Sequence, residues 1–522
     1  MANIVSKSSE ESDMESQGQT SSVATESQGE GGASEAPAKV TRKRRSGASK
    51  SPRESGATVA SSERRKNARD RSRGHPIAMV LDTFLSAVDD FADAPVVVLP
   101  LIAKSRHRQL ETLQSKLQRF ESSGKDGRPR LVATGAHAAT ELLASVREAE
   151  RLVKSKIIEV ILRSLFIGVF SEYDAFVGAL SKVIYERKPA LFRGIRREIA
   201  LSELLEFESI QAVMLGMLER EIDAFRRESY VEQFAALERN FGINNLREFS
   251  EWPQFVEMSQ RRNLMTHNDG RVSRQYVVVC EREGFKFAQP PVIGQRLELD
   301  PAYLRDVLFV VRKVGFMLTH TLWRKLFPDD QDVANDALNQ AIYELLLRRR
   351  WRSASEFGLF ALQDVIARGM NDMTKRIVLI NTAIALKYRD KGEEAVRMLD
   401  KEDWTASIRE FKLANAVLRE QYTEAAKIMR DIGKTGELIE QLSYHDWPLF
   451  NKFRGRREFQ KAYADVYSIP FIQKVTQQAR AKSAEISRTI TEVDRSMARG
   501  ERSKKMEAKQ KRRSRDKTKK VR

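Results

Sequence analysis

Residues 157–185 read IIEVILRSLFIGVFSEYDAFVGALSKVIY. Ile161, Leu162, Leu165, Phe166, Val169, Phe170, Tyr173, Phe176, Val177 and Leu180 recur at three- and four-residue spacing. That spacing puts them on one wide apolar stripe of a helix. Pro189 ends the pattern, because proline cannot donate to the helical ladder. The segment predicts a long, strongly apolar helix in an all-α fold.

Working outward, the same period continues on both sides. Leu142, Leu143, Val146, Ala149, Leu152 and Val153 precede it. Leu204, Leu205, Ile210, Val213, Met217, Leu218, Ile222 and Phe225, then Phe234 and Leu237, follow over residues 201–240. Residues 251–267 read as a third helix, stopped by Asn268-Asp269-Gly270. Asp300-Pro301 starts a fourth over residues 303–327, with Asp as N-cap and Pro in the first turn. Between the third and fourth, Tyr276-Val277-Val278-Val279-Cys280 is β-branched and predicts a strand. Arg296-Leu297-Glu298-Leu299 would pair with it. The expectation for residues 138–330 is a four-helix unit with a β insertion near 274–299.

Residues 333–467 repeat a simpler unit. Three small-residue helical stretches, around Ala341, Ala383 and Ala414, each lead through a break to a second helix near Ala354, Ala395 or Ala425. That pattern predicts stacked helical hairpins that resemble degenerate tetratricopeptide-type repeats. On the other side, residues 75–137 read as a helical linker region with two amphipathic stretches, 78–91 and 106–120. Residues 1–74 lack large apolar side chains and are expected to be disordered. Residues 468–522 are expected to run from helix into a disordered basic tail.

The formal charge of +19 is concentrated at the ends. Residues 39–73 and 496–522 each carry 13 Lys/Arg and 3 Asp/Glu, whereas residues 1–38 carry one Lys and seven acids. Basic segments of this kind bind nucleic acid by counterion release, or serve only as solvated tails. Arg42, Lys43, Arg44 and Arg45 form the densest cluster and resemble a nuclear-import signal. Arg348, Arg349, Arg350 and Trp351 mix cations with an aromatic, as an RNA-stacking patch does; the alternative is a solvated turn inside a repeat. The single cysteine, Cys280, excludes an intrachain disulfide and a multi-Cys zinc site, and fits a reducing, cytoplasmic setting (nuclear in a eukaryote). No apolar run of membrane-spanning length occurs, and no phosphate-cradling Gly loop.

The chemistry-bearing stretch is Arg262-Asn263-Leu264-Met265-Thr266-His267. It offers a permanent cation, an amide and an acid/base imidazole. The turn after it puts His267 in the last helical turn, where the helix dipole favours a cation. On a straight helix Asn263 and His267 share a face, while Arg262 lies about 140° round from His267. The two converge only at a distorted helix end or across two chains.

This stretch, at the end of a third helix, resembles the motif of the HEPN family, over roughly residues 150–327. Active members are four-helix, metal-independent ribonucleases with Arg and His four to six residues apart and a polar residue after the Arg. By that resemblance Arg262, Asn263 and His267 occupy the motif positions, and Glu172 or Asp174 the acidic position of the first family helix. The resemblance implies RNA cleavage through the 2′-hydroxyl without metal or cofactor, possession of protein partners on the repeats, and a homodimer, in a setting of stress or phage defence. A non-catalytic scaffold that dimerises and binds nucleic acid or protein is the other expectation. In it, Arg262 pairs with an acid such as Glu257 and His267 caps a helix.

Overall fold

The computed structural model describes residues 74–123, 129–194, 198–480, 482–483 and 486–487. The expected disordered tail, the Arg42–Arg45 cluster and the basic segment 496–522 lie outside the described residues, residue 74 apart. The described chain is all-α. Its one sheet is a two-stranded hairpin of β1 (Glu121–Ser123) and β2 (Pro129–Leu131). None of its helices is long and apolar enough to cross a membrane.

The core helix is α3 (Ile157–Arg187), preceded by α1 (Pro76–Gln118) and α2 (Ala136–Val153). Phe166, Val169, Phe170 and Tyr173 of α3 have no exposure. Short α4 (Leu201–Leu204), then α5 (Ile210–Arg227) and α6 (Tyr230–Phe241), occupy the region read as one long pattern. The break before α6 is a capping box: Ser229 accepts from Glu232 N, and the Glu232 carboxylate accepts from Ser229 N at 2.9 Å. α7 (Trp252–His267) and α9 (Pro301–Leu326) follow, with α8 (Arg274–Arg282) between them. Asp300 caps α9 as its sequence predicts, accepting from Tyr303 N at 2.8 Å.

Two expectations are corrected. First, Tyr276-Val277-Val278-Val279-Cys280 is helical, within α8, and the β insertion reduces to one isolated bridge, Arg271 to Arg296. Ser273 caps the helix through Tyr276 N, and Tyr276 and Cys280, four apart, are buried together with Leu264 and Val272. A cap and an i,i+4 buried pair outweigh the β preference of three valines. Second, α1 is one 43-residue helix running through Pro95 and Pro100. Its N-terminal half buries Ile77, Leu81, Phe84, Leu85 and Val88 against α3 and α9. The segment read as a linker is thus a wall of the bundle. Interior prolines cost about 3 kcal/mol or more each; packing of α1 on α3, α9 and α2 offsets that.

Beyond α9 the chain forms helix pairs: α10 (Gln331–Leu347) with α11 (Trp351–Ala361), and, after short α12 (Asp364–Ala367), α13 (Asp372–Lys387) with α14 (Gly392–Leu399). α15 (Arg409–Leu418) pairs with α16 (Tyr422–Ile432), on which α19 (Arg457–Tyr467) closes, after short α17 (Gln441–Asp446) and α18 (Asn451–Arg454). Ala354, Ala395 and Ala425 are each fully buried, which is what small residues at close helix contacts do.

Candidate functional site

α7 carries the Arg–His stretch and packs on α3, α6 and α9. Its end is fixed from several directions. Asn268 N and Gly270 N both donate to Leu264 O, at 2.8 and 2.9 Å. Asp269 and Gly270 take positive φ of 49° and 71°, the left-handed stop that glycine accepts readily. Arg163 of α3 reaches across to Met265 O and to the Asp269 carboxylate at 3.1 Å. Arg296 also bonds to Asp269. The Arg163 hydrogen bond, with the nearby Arg296 charge, holds the Asp269 carboxyl below its usual range.

Arg262 is held with equal definition. Its Nη2 donates to Asp174 Oδ2 at 2.7 Å and to the Tyr230 hydroxyl at 3.1 Å, and its Nη1 donates to Asn263 Oδ1 at 3.1 Å. Tyr230 in turn donates to Asp174 Oδ1 at 2.7 Å. Burial raises the Asp174 carboxyl above its ordinary value; the Tyr230 hydrogen bond and the Arg262 charge oppose this only in part. Burial also drives the Tyr230 phenol well up, with Asp174 adding to it, so the hydroxyl stays a donor.

The expected partner for Arg262, Glu257, is instead taken by its neighbour. Arg261 pairs with Glu257 at 2.8 Å, and that buried carboxylate also accepts from Tyr276 at 2.6 Å and Tyr303 at 2.8 Å. Of the two acids noted on α3, Asp174 meets Arg262, whereas Glu172 is exposed.

Arg262, Asn263 and His267 line one open cleft of about 710 Å³. A straight-helix projection sets Arg262 and His267 apart, yet the cleft is wide enough to touch both. His267 is exposed, with no ring partner among the described residues. Arg226 and Arg227, at the end of α5, join the same cleft, exposed and without an ion pair among the described residues. Sequence reading passed over Tyr230, Arg226 and Arg227. The signal was the Arg-Arg-Glu-Ser break at 226–229, which ends one helix and caps the next. The arrangement offers a restrained guanidinium, an amide, a solvent-facing imidazole and two further cations, a set suited to a phosphodiester. Among the described residues no group of three or more His, Cys, Asp or Glu is placed to hold a metal ion.

The other predicted nucleic-acid patch is engaged internally. Arg348 and Arg350 bind Asp89 of α1 at 2.8 and 3.2 Å, Arg350 also binds Asp93 at 2.5 Å, and Trp351 stacks on Tyr388 at 4.2 Å. Only Arg349 of the four stands exposed without such a tie, at a positive φ of 57°. The run is a clamp between α1 and the α10–α11 turn, because a buried carboxylate draws the nearest guanidinia. His445 is likewise structural, bonded to Tyr463 and Gln478 at 2.6 and 2.7 Å. Compared with family models, with curated proteins and with solved structures, the chain matches none.

Proposed function

We propose that the chain is a HEPN-like, metal-independent endoribonuclease whose Arg262, Asn263 and His267 act on the 2′-hydroxyl of RNA. The observation that carries this reading is the shared cleft: all three side chains line it, beside Arg226 and Arg227. In the reaction the 2′-oxygen attacks the adjacent phosphorus, the bond to the 5′-oxygen breaks, and a 2′,3′-cyclic phosphate forms. His267 exchanges the proton with the attacking or leaving oxygen. Arg262 stabilises charge on the phosphorane, its geometry preset by Asp174 and Tyr230. Asn263 orients the phosphate or the imidazole. One chain brings a single imidazole to the cleft, so a second copy supplies the other acid/base group in a homodimer. The helix pairs of residues 333–467, read as tetratricopeptide-like repeats, bind protein partners.

The test is a single-stranded RNA carrying one 2′-deoxy nucleotide at the cleaved position. Cleavage there should stop, and the all-ribose product should end in a cyclic phosphate. Cleavage of the deoxy substrate at the same bond refutes the mechanism.

A second reading has its own support in the Arg262–Asp174–Tyr230 cluster, which also suits a purely structural lock. In that scaffold reading wild type turns over no RNA, His267→Ala leaves partner binding unchanged, and Arg262→Ala lowers stability.

A further inference from the structure

A larger cavity lies elsewhere. It measures about 1080 Å³, against about 710 Å³ for the cleft at the Arg–His stretch. The loop between α6 and α7, helix α9, and α11 with α12 form its walls.

The charges in this cavity do not balance. Lys313 is neutralised by Glu251 at 2.7 Å and Glu356 at 3.0 Å, and Glu356 is shared with Arg389 at 3.2 Å. Glu248 sits exposed on the rim. Arg324 has no such partner: no carboxylate of the described residues lies within 4.0 Å of it. Its Nη1 lies 2.9 Å from His320 Nδ1, and its Nη2 donates to Asn335 Oδ1 at 2.7 Å, both neutral groups. Burial lowers His320 well below an ordinary histidine, with the Arg324 charge adding to this, so the ring stays neutral and offers Arg324 a lone pair but no counter-charge. Burial brings Arg324 itself down to about 10. A largely buried guanidinium without a counter-charge is costly, and an anionic ligand would remove that cost.

The donors are available. Arg324 Nε makes no hydrogen bond among the described residues, and it is not among the buried polar atoms sealed from solvent. Lys325, next along α9, is exposed on the same cavity and without an ion pair among the described residues. Phe249, Met317 and Phe360 supply apolar wall. The volume exceeds what an inorganic ion fills and matches a drug-sized or nucleotide-sized molecule.

We propose that this cavity binds a nucleotide-sized organic anion. Arg324 and Lys325 hold its phosphate or carboxylate head, and Phe249, Met317 and Phe360 receive its body. The site is separate from the Arg–His cleft and stands whether or not that cleft cuts RNA.

The experiment is calorimetric titration of the full chain with adenosine monophosphate, dodecanoate and inorganic phosphate. At least one organic anion should bind with Kd below about 100 µM, and at least tenfold more tightly than inorganic phosphate. The two organic probes distinguish a phosphate head from a carboxylate head. Arg324→Gln and the rim variant Lys325→Glu should each weaken binding at least tenfold, while His267→Ala and Arg262→Ala leave it unchanged. Lys325→Glu decides the matter if Arg324→Gln does not fold. The proposal is overturned if neither organic anion binds saturably by about 1 mM. It is also overturned if Lys325→Glu binds as wild type does, or if binding is lost in Arg262→Ala instead.

Discussion

Asp89→Asn tests whether α1 is a structural wall of this protein. Asp89 is 4 % exposed and accepts from Arg312, which is equally buried, and from Arg348 and Arg350. Apart from Asp89, Arg312 has among the described residues only the Ser353 hydroxyl as hydrogen-bond partner, at 3.4 Å. Asparagine keeps the shape but removes the charge, leaving a buried guanidinium unmatched. Breaking a buried pair in this way costs about 3–5 kcal/mol. Arg348 and Arg350 soften the loss little, since both already reach solvent. For a cooperative unit of about 400 residues the unfolding entropy is about 0.84 kcal/mol/K, so the midpoint should fall by about 4–6 °C. Urea unfolding followed by far-ultraviolet circular dichroism gives the free energy directly. The pair replacement Asp89→Leu with Arg312→Met should recover most of it, because two apolar side chains need no counter-charge. A loss below about 0.5 kcal/mol for Asp89→Asn, the size of an ordinary surface substitution, refutes the reasoning.

Other consequences follow from the same packing. The Asp174 carboxyl is raised by burial, so the folded state holds its proton more tightly than the unfolded chain does; wild type should lose stability relative to Asp174→Asn as pH rises through the carboxylate range, and parallel pH profiles contradict this. His320 is held neutral by burial, so the unfolded chain gains its proton first on acidification. Stability should fall by about 1.4 kcal/mol per pH unit per proton below the ordinary histidine range, and His320→Gln should flatten that slope in denaturant titrations at pH 5 and 7. A Cβ on Gly358 would collide with the Thr382 hydroxyl where α11 meets α13; Gly358→Ala should therefore destabilise by about 1–3 kcal/mol, measured by the same unfolding, and a neutral result would show that the two helices can part.

Much of the helical framework could be read from periodicity and caps. The stripe of residues 157–185 became α3, the Asn268-Asp269-Gly270 stop ends α7, and Asp300 caps α9. Periodicity failed where tertiary contacts outvote local preference. Three consecutive valines signal a strand, but Tyr276 reaching Glu257 and Cys280 packing beneath it make the segment a helix. Pro95 and Pro100 signal a break, yet α1 is pinned on both sides of them. At the site, Arg262, Asn263 and His267 were visible because their spacing is local. Tyr230 and Asp174 were not assignable to Arg262, since they come from 32 and 88 residues away. Likewise Arg348, Arg350 and Trp351 looked like a surface patch because Asp89 lies about 260 residues earlier.

The central claim is most directly tested by incubating the full chain with single-stranded RNA in chelator, wild type beside His267→Ala and Arg262→Ala. The account predicts cleavage by wild type and at least about a hundredfold loss in His267→Ala, the usual scale for a general acid/base group. Arg262→Ala should fall comparably while retaining its helical circular dichroism. No cleavage by wild type, or undiminished cleavage by His267→Ala, would contradict it.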